Sequence, residues 1–186
     1  MPNNNLIITE TIKIVGLGGQ GVVTTAALLA RAAFHQGWWS QSMPFFGVER
    51  TGTPVEAYIR LAHRPIHTHQ PIEHPNILLI NDHNLYNPQK LGRKLTIVNN
   101  PNVNLYQLKP TLLIYDSQQV SSFIFNKNLA IGLLGALSAC WPLIEEKNWL
   151  KAIEEQFINQ EVVQKNWQVF IANYELATKL INKTHD

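Results

Sequence analysis

Thr11-Ile12-Lys13-Ile14-Val15-Gly16-Leu17-Gly18-Gly19-Gln20-Gly21-Val22-Val23-Thr24 is the stretch on which the fold turns. Its first five residues are mostly β-branched or apolar and read as a strand ending at Gly16. Glycines at 16, 18, 19 and 21 then allow a tight turn, with backbone conformations that other residues adopt only under strain. From Val22 to His35 the chain is rich in Ala and Leu and reads as a helix, and Gly37 stands where a helix C′ residue is favoured. A strand, a glycine turn and a helix in that order open a doubly wound α/β sheet.

Outward from this unit, residues 38–42 read as a short second strand and residues 44–54, with Gly47 and Gly52, as a loop. Val55-Glu56-Ala57-Tyr58-Ile59-Arg60-Leu61 alternates well enough for a half-buried strand. Arg64-Pro65 turns the chain, and residues 66–69 are expected to pair back as a hairpin. Residues 76–81, 95–98 and 111–115 are short apolar runs bounded by turn residues, the pattern of strands covered on both faces. The last third reads as three helices, over residues 129–141, 149–157 and 161–181. The first carries Gly132, Gly135, Ala136 and Ala139, suited to close helix packing. The last spaces Val163, Trp167, Phe170, Tyr174, Ala177 and Ile181 as one apolar core stripe. The expected architecture is one α/β domain over residues 1–186. It has a Rossmann-like, mainly parallel, doubly wound sheet, helices on both faces and a helical C-terminal third.

Composition removes several function classes. The 186 residues favour a single domain, large enough to need no disulfide or metal staple. Charged residues make up 15% of the chain, and its 18 Asn and 12 Gln outnumber the 15 basic and 13 acidic side chains together. Such a charge-poor surface suits a subunit whose faces are covered by partners, and a biased base composition would produce it equally. The net charge of +2 is spread without a basic block, which argues against nucleic acid or an anionic membrane as the target. With Cys140 as its one cysteine, the chain cannot by itself hold an iron–sulfur cluster or form an internal disulfide. Electrons, if the function uses them, must travel through another polypeptide. The polar start lacks the basic segment and apolar core of a signal peptide, and no apolar run reaches 18 residues. A soluble, cytoplasmic protein is the expectation.

Two segments carry possible chemistry. Gly16, Gly18 and Gly21 fit the GxGxxG dinucleotide fingerprint, and the helix after them offers unpaired N–H groups to a phosphate or carboxylate. That fingerprint also wants an acid ~20 residues on, to hold a ribose hydroxyl. Residues 39–43 contain none, so a stand-alone NAD(P)- or flavin-binding protein is the weaker alternative. A tight turn with no ligand remains a third. The second segment is Phe45-Phe46-Gly47-Val48-Glu49-Arg50-Thr51-Gly52-Thr53-Pro54. It should leave the second strand beside the glycine turn, where Glu49 and Arg50 could orient a partner chain or a ligand phosphate. The plain alternative is a surface loop with a weak ion pair. His67 and His69 lie at strand spacing but with only Glu73 near them, and read as exposed rather than metal-binding. Asp82 and Asp116 end apolar strands and read as helix or turn caps. No residue has the context of a catalytic nucleophile or base.

Taken together, these residues resemble the gamma subunit, or gamma domain, of pyruvate:ferredoxin oxidoreductase and related 2-oxoacid:acceptor oxidoreductases. The resemblance rests on Gly16–Gly21 with Val22-Val23-Thr24, and on Gln41-Ser42-Met43-Pro44 leading to Phe46-Gly47-Val48-Glu49-Arg50-Thr51-Gly52. It continues through Pro54-Val55-Glu56-Ala57-Tyr58-Ile59-Arg60, Ile72-Glu73-His74-Pro75-Asn76 and Leu134-Gly135-Ala136-Leu137. The family often has Pro at the place of Val48, Arg at Thr51 and a small residue at Thr53. The loop looks more like the pyruvate-type branch than the 2-oxoglutarate-type branch. The resemblance implies a multi-subunit enzyme that decarboxylates a 2-oxoacid on thiamine diphosphate with Mg. Such an enzyme passes electrons through 4Fe–4S clusters to ferredoxin or flavodoxin and forms an acyl-CoA. Those cofactors would sit on alpha, beta and possibly delta subunits. This chain would support assembly and wall the coenzyme A side. Gly16, Gly18, Gly19, Gln20 and Gly21 would then touch coenzyme A, and Gly47, Glu49, Arg50, Thr51 and Gly52 would form a subunit seam or the coenzyme A entrance.

Overall fold

The computed structural model describes residues 8–45, 52–102, 107–109, 111–121 and 130–183. Strand β1, Ile8–Leu17, enters the glycine turn and is followed by helix α1, Val22–His35. Strands β2, Trp39–Phe45, and β3, Pro54–Ala62, come next, then β4, Ile77–Ile80, and β5, Leu95–Asn99. The chain continues through β6, Gln107–Lys109, β7, Leu112–Tyr115, and the short α2, Gln118–Ser121. Helices α3, Ile131–Cys140, α4, Glu146–Gln156, and α5, Gln160–Asn182, close it.

The seven strands form one sheet in the order β2-β3-β1-β4-β5-β7-β6. Strands β1, β4, β5 and β7 are parallel neighbours. Strand β3 runs antiparallel to β1, β2 antiparallel to β3, and β6 antiparallel to β7, so five of the seven point one way. The mainly parallel α/β sheet with a helical C-terminal third is as the sequence implies. One edge strand, β6, has only three residues and no apolar periodicity, and is missed by sequence reading.

One face of the sheet builds the main core. Ile12, Ile14, Ile59, Leu61, Ile77, Leu79, Ile97 and Tyr115 pack there against α1, α3, α4 and α5. The other face carries a smaller cluster of Leu78, Ile80, Val98, Leu112 and Ile114, joined by Val15, Leu85 and Tyr86. Helices were expected on both faces. Among the described residues the four longer helices share one face, and the other bears the 3-10 turn His83–Leu85. The crossover from β4 to β5 explains this, because Asn87-Pro88 and Gly92 break any helix there. The expected hairpin at residues 66–69 is likewise absent: that segment is irregular, and the Arg60 guanidinium donates to the Gln70 carbonyl, tying it to β3.

Helix α3 is buried from Ile131 to Ser138, as a helix apolar all round must be. Its glycines let α5 approach backbone to backbone: a Cβ on Gly135 would lie 2.1 Å from the Phe170 carbonyl oxygen. The buried stripe of α5 is Val163, Asn166, Val169, Phe170, Asn173, Ala177 and Leu180, rotated from the one the sequence suggested. Tyr174 is left exposed. Asn166 and Asn173 enter that stripe because each amide donates to the carbonyl four residues before it, at 2.8 Å. Asn159 caps α5, its side chain accepting from the Glu161 and Val162 N–H groups.

Candidate functional site

The glycine turn sits at the C-terminal rim of the parallel strands, where ligands of open α/β sheets gather. Gly19 and Gly21 take positive φ values of 90° and 76°. Gly16 serves differently: a Cβ there would come within 2.7 Å of Val22 and 2.9 Å of the Gln20 amide oxygen. The Gly18 N–H donates to the Thr53 carbonyl at 2.9 Å, fastening the turn to the residue before β3. Strand β2 ends at Phe45 and β3 begins at Pro54 beside Leu17, so the segment between them starts and finishes at this rim. Gly52 is exposed with a φ of 88°. Gly47, Glu49, Arg50 and Thr51 lie outside the described residues.

Helices α1 and α3 both begin here, and neither has a side-chain cap. Both present the positive end of a helix dipole at this rim, although the Leu133 N–H in the first turn of α3 donates to the Ala130 carbonyl. Both N-termini border one pocket of about 240 Å³, lined among others by Gly21, Thr24, Thr25, Ile131, Phe157 and Asn166. Among the described residues the lining has hydroxyl and amide groups but no charged side chain. A group that is part apolar and part hydrogen-bonding fits such a surface. A neighbouring anion would meet the helix termini above it.

Gln20, expected to touch a ligand, borders the same pocket and is also engaged by the protein. Its Oε1 accepts from the Leu17 N–H at 2.8 Å and from Asn81 Nδ2 at 3.1 Å, while Nε2 donates to Asp82 Oδ2 at 3.2 Å. Its backbone carbonyl accepts from the Ala130 N–H at 2.9 Å, joining the turn to the start of α3. Asp82 also receives the Asn84 N–H and Asp116 the Gln118 N–H, so both act as the expected caps. Sequence reading missed Asn81 and Asn99 as site-building residues. The available signal is that each follows or ends an apolar run at the same height, in Ile77-Leu78-Leu79-Ile80-Asn81 and Leu95-Thr96-Ile97-Val98-Asn99.

The dinucleotide alternative loses its geometry. Strand β3 separates β2 from β1, so the end of β2 does not adjoin the turn as the ribose-holding strand of that fold does. His67 and His69 are exposed on the irregular segment after β3, and no group of three potential metal ligands occurs among the described residues. Burial pushes the Cys140 thiol up to about 11, so it is held as a thiol rather than a metal-binding thiolate. A single thiol of this kind does not fit a 4Fe–4S cluster. No helix among the described residues is long and apolar enough to cross a membrane.

Comparison with known proteins adds the following. The model of the family described as pyruvate ferredoxin/flavodoxin oxidoreductase matches residues 11–176. The chain is 32% identical over 176 residues to the common gamma subunit of the pyruvate/ketoisovalerate oxidoreductases of Pyrococcus furiosus, covering 88% of this chain and 95% of that one. With the corresponding subunit of Thermococcus kodakarensis the identity is 34% over 158 residues, or 78% and 85% of the two chains. A pyruvate oxidoreductase subunit of Thermotoga maritima has a similar structure, with a TM-score of 0.73 and 25% identity, covering 89% and 95%. The fold also matches part of the 2-oxoglutarate:ferredoxin oxidoreductase of Magnetococcus marinus, solved with 2-oxoglutarate, coenzyme A and succinyl-CoA bound. There the TM-score is 0.73 at 18% identity, over 91% of this chain and 31% of that one.

Proposed function

Because this chain belongs to the pyruvate ferredoxin/flavodoxin oxidoreductase family and is a subunit of such an oxidoreductase, we propose that it works on the coenzyme A side of the complex. Pyruvate is the 2-oxoacid favoured by the names of the relatives, and ferredoxin or flavodoxin the acceptor. Alpha and beta subunits, with or without a delta, carry thiamine diphosphate, Mg and the clusters. The observation that carries the reading is the convergence of two helix N-termini without side-chain caps and the positive-φ Gly21 on one pocket whose described lining bears no charge. That arrangement suits a diphosphate attached to a longer, partly apolar molecule. Coenzyme A has this chemistry, and it is bound in the Magnetococcus marinus enzyme, part of whose fold this chain resembles.

In this role the chain performs no redox step of its own. Gly16, Gly18, Gly19 and Gly21 bring backbone close to the ligand, while Glu49, Arg50 and their neighbours line the seam with another subunit. Purified alone, the chain is expected to give no viologen reduction with pyruvate and coenzyme A. Coexpressed, it should copurify with at least two larger partners as an active complex. Activity of the isolated chain, or a fully active complex lacking it, would contradict the assignment.

A further inference from the structure

We infer that Gln20 is a positioning residue, and that it hangs the glycine turn on a buried hydrogen-bonded chain running across the rim of the sheet. The chain starts at the Leu17 N–H, passes through the Gln20 amide to Asn81, and branches to Asp82. The Asn81 carbonyl accepts from Asn99 Nδ2 at 3.3 Å, and Asn99 Oδ1 accepts from the Ser117 N–H at 2.9 Å. The ends of β1, β4, β5 and β7 are thus joined by side chains as well as by the strand ladder. Asn81, Asn99 and Ser117 are each 2% exposed or less, so each of these bonds replaces one that water cannot supply.

The arithmetic of the amide sets the role of Gln20. An amide oxygen has two lone pairs, and here both are taken, by Leu17 and Asn81. Nothing is left on that oxygen for a ligand. Gly16 completes the device, since any larger residue would push a Cβ against the Gln20 oxygen. A hydrogen-bonded polar network of this kind, buried at its Asn99 and Ser117 end, rigidifies what it holds. Here it holds the turn at a defined height above the rim.

The consequence of this placement for coenzyme A rests on the function proposed above; the clamp itself does not. The test uses Gln20→Glu in the assembled complex. The substitution keeps an oxygen for Leu17 and Asn81 but replaces the donor to Asp82 with a second carboxylate. Two acids so placed cannot both ionise cheaply, and the folded-state pKa of one is raised. The sign follows: the two share a proton and the clamp survives at low pH, and the clamp is lost as pH rises through the raised value. We expect the thermal midpoint of the complex to fall relative to wild type between about pH 4.5 and pH 6.5, the window from the ordinary carboxylate value to just above the raised one. Over the same range the KM for coenzyme A should rise roughly tenfold, as a one-unit pKa difference allows, with the 2-oxoacid KM unchanged. Among the described residues, His83 and Asp116 are the other titratable side chains next to these strand ends, and neither is altered. Adding Asp82→Asn removes the like-charge pair and restores a donor to position 20, while its other oxygen still caps the Asn84 N–H. The double variant should lose the pH dependence and recover assembly and KM.

If Gln20 instead touches coenzyme A directly, the double variant stays impaired at every pH, which overturns the inference. So does a thermal midpoint in Gln20→Glu that tracks wild type across the range. A pH-dependent midpoint abolished by Asp82→Asn, with a wild-type KM for coenzyme A throughout, supports the clamp and refutes the coenzyme A reading.

Discussion

Gly135→Ala should destabilise the subunit by about 3 kcal/mol, the upper end of what overpacking a core costs. The sign makes this informative. Glycine inside a helix is ordinarily worse than alanine by ~1 kcal/mol, so propensity alone predicts that the substitution stabilises α3. Packing predicts the reverse, because the new Cβ would meet the Phe170 oxygen at 2.1 Å, and the Phe170 carbonyl carbon and Tyr174 nitrogen at 3.0 Å. These are backbone atoms of α5, which cannot swing aside as a flexible side chain can. The two helices must separate, and Phe170 would be drawn from its contact with Trp149 of α4. For a chain of this length the loss corresponds to a fall of roughly 6–12 °C in Tm. Denaturant unfolding followed by tryptophan fluorescence would measure it. A variant as stable as wild type would mean that α3 and α5 do not pack at this distance.

The second large effect is expected at the turn. Gly19 has φ 90°, and a Cβ there meets nothing within 4 Å. Gly19→Val therefore costs strain rather than packing, on the order of 1–3 kcal/mol, and puts a branched side chain onto the open rim. In the assembled enzyme the KM for coenzyme A should rise by at least tenfold while the 2-oxoacid KM holds. Arg50→Ala separates the two parts of the proposal. For the surface loop expected from the sequence, loss of this charge should leave the stability of the free subunit within ~0.5 kcal/mol. A complex that dissociates on dilution would mark Arg50 as a seam residue, and a raised KM for coenzyme A would mark it as a ligand contact. Wild-type assembly and wild-type coenzyme A kinetics in both variants would sink the site assignment and leave the family membership untouched.

Element by element, most of this molecule is legible locally. The helix Val22–His35 begins and ends where its glycines and apolar spacing place it. The short apolar runs at Ile77–Ile80 and Leu112–Tyr115 are buried strands. The small residues of α3 do serve close packing, and the glycine turn does stand at the C-terminal rim of the parallel strands. Each of these follows from constraints acting within about a dozen residues: a period of burial, a backbone conformation only glycine takes easily, a side chain too large for its neighbour. The matching family model and relatives extend that legibility to the oxidoreductase family itself.

What tertiary structure alone decided concerns partners distant in the chain. No local pattern says that β3 lies antiparallel between β2 and β1, because an alternating strand buries the same side chains in either direction. That insertion removes the dinucleotide geometry which the GxGxxG spacing taken alone suggests. Gathering the longer helices on one face is likewise a property of the whole sheet, set by which crossovers can be helical. The role of Gln20 is the sharpest instance. Read along the chain, it is one polar residue in a glycine loop, free to face a ligand. In the fold its amide oxygen is filled from Leu17, three residues away, and from Asn81, sixty-one residues away. The residues at 16–21 determine that a turn of this shape can form. Side chains that end other strands determine which of its atoms remain available, since a hydrogen-bonding group used inside the protein is no longer offered outside it.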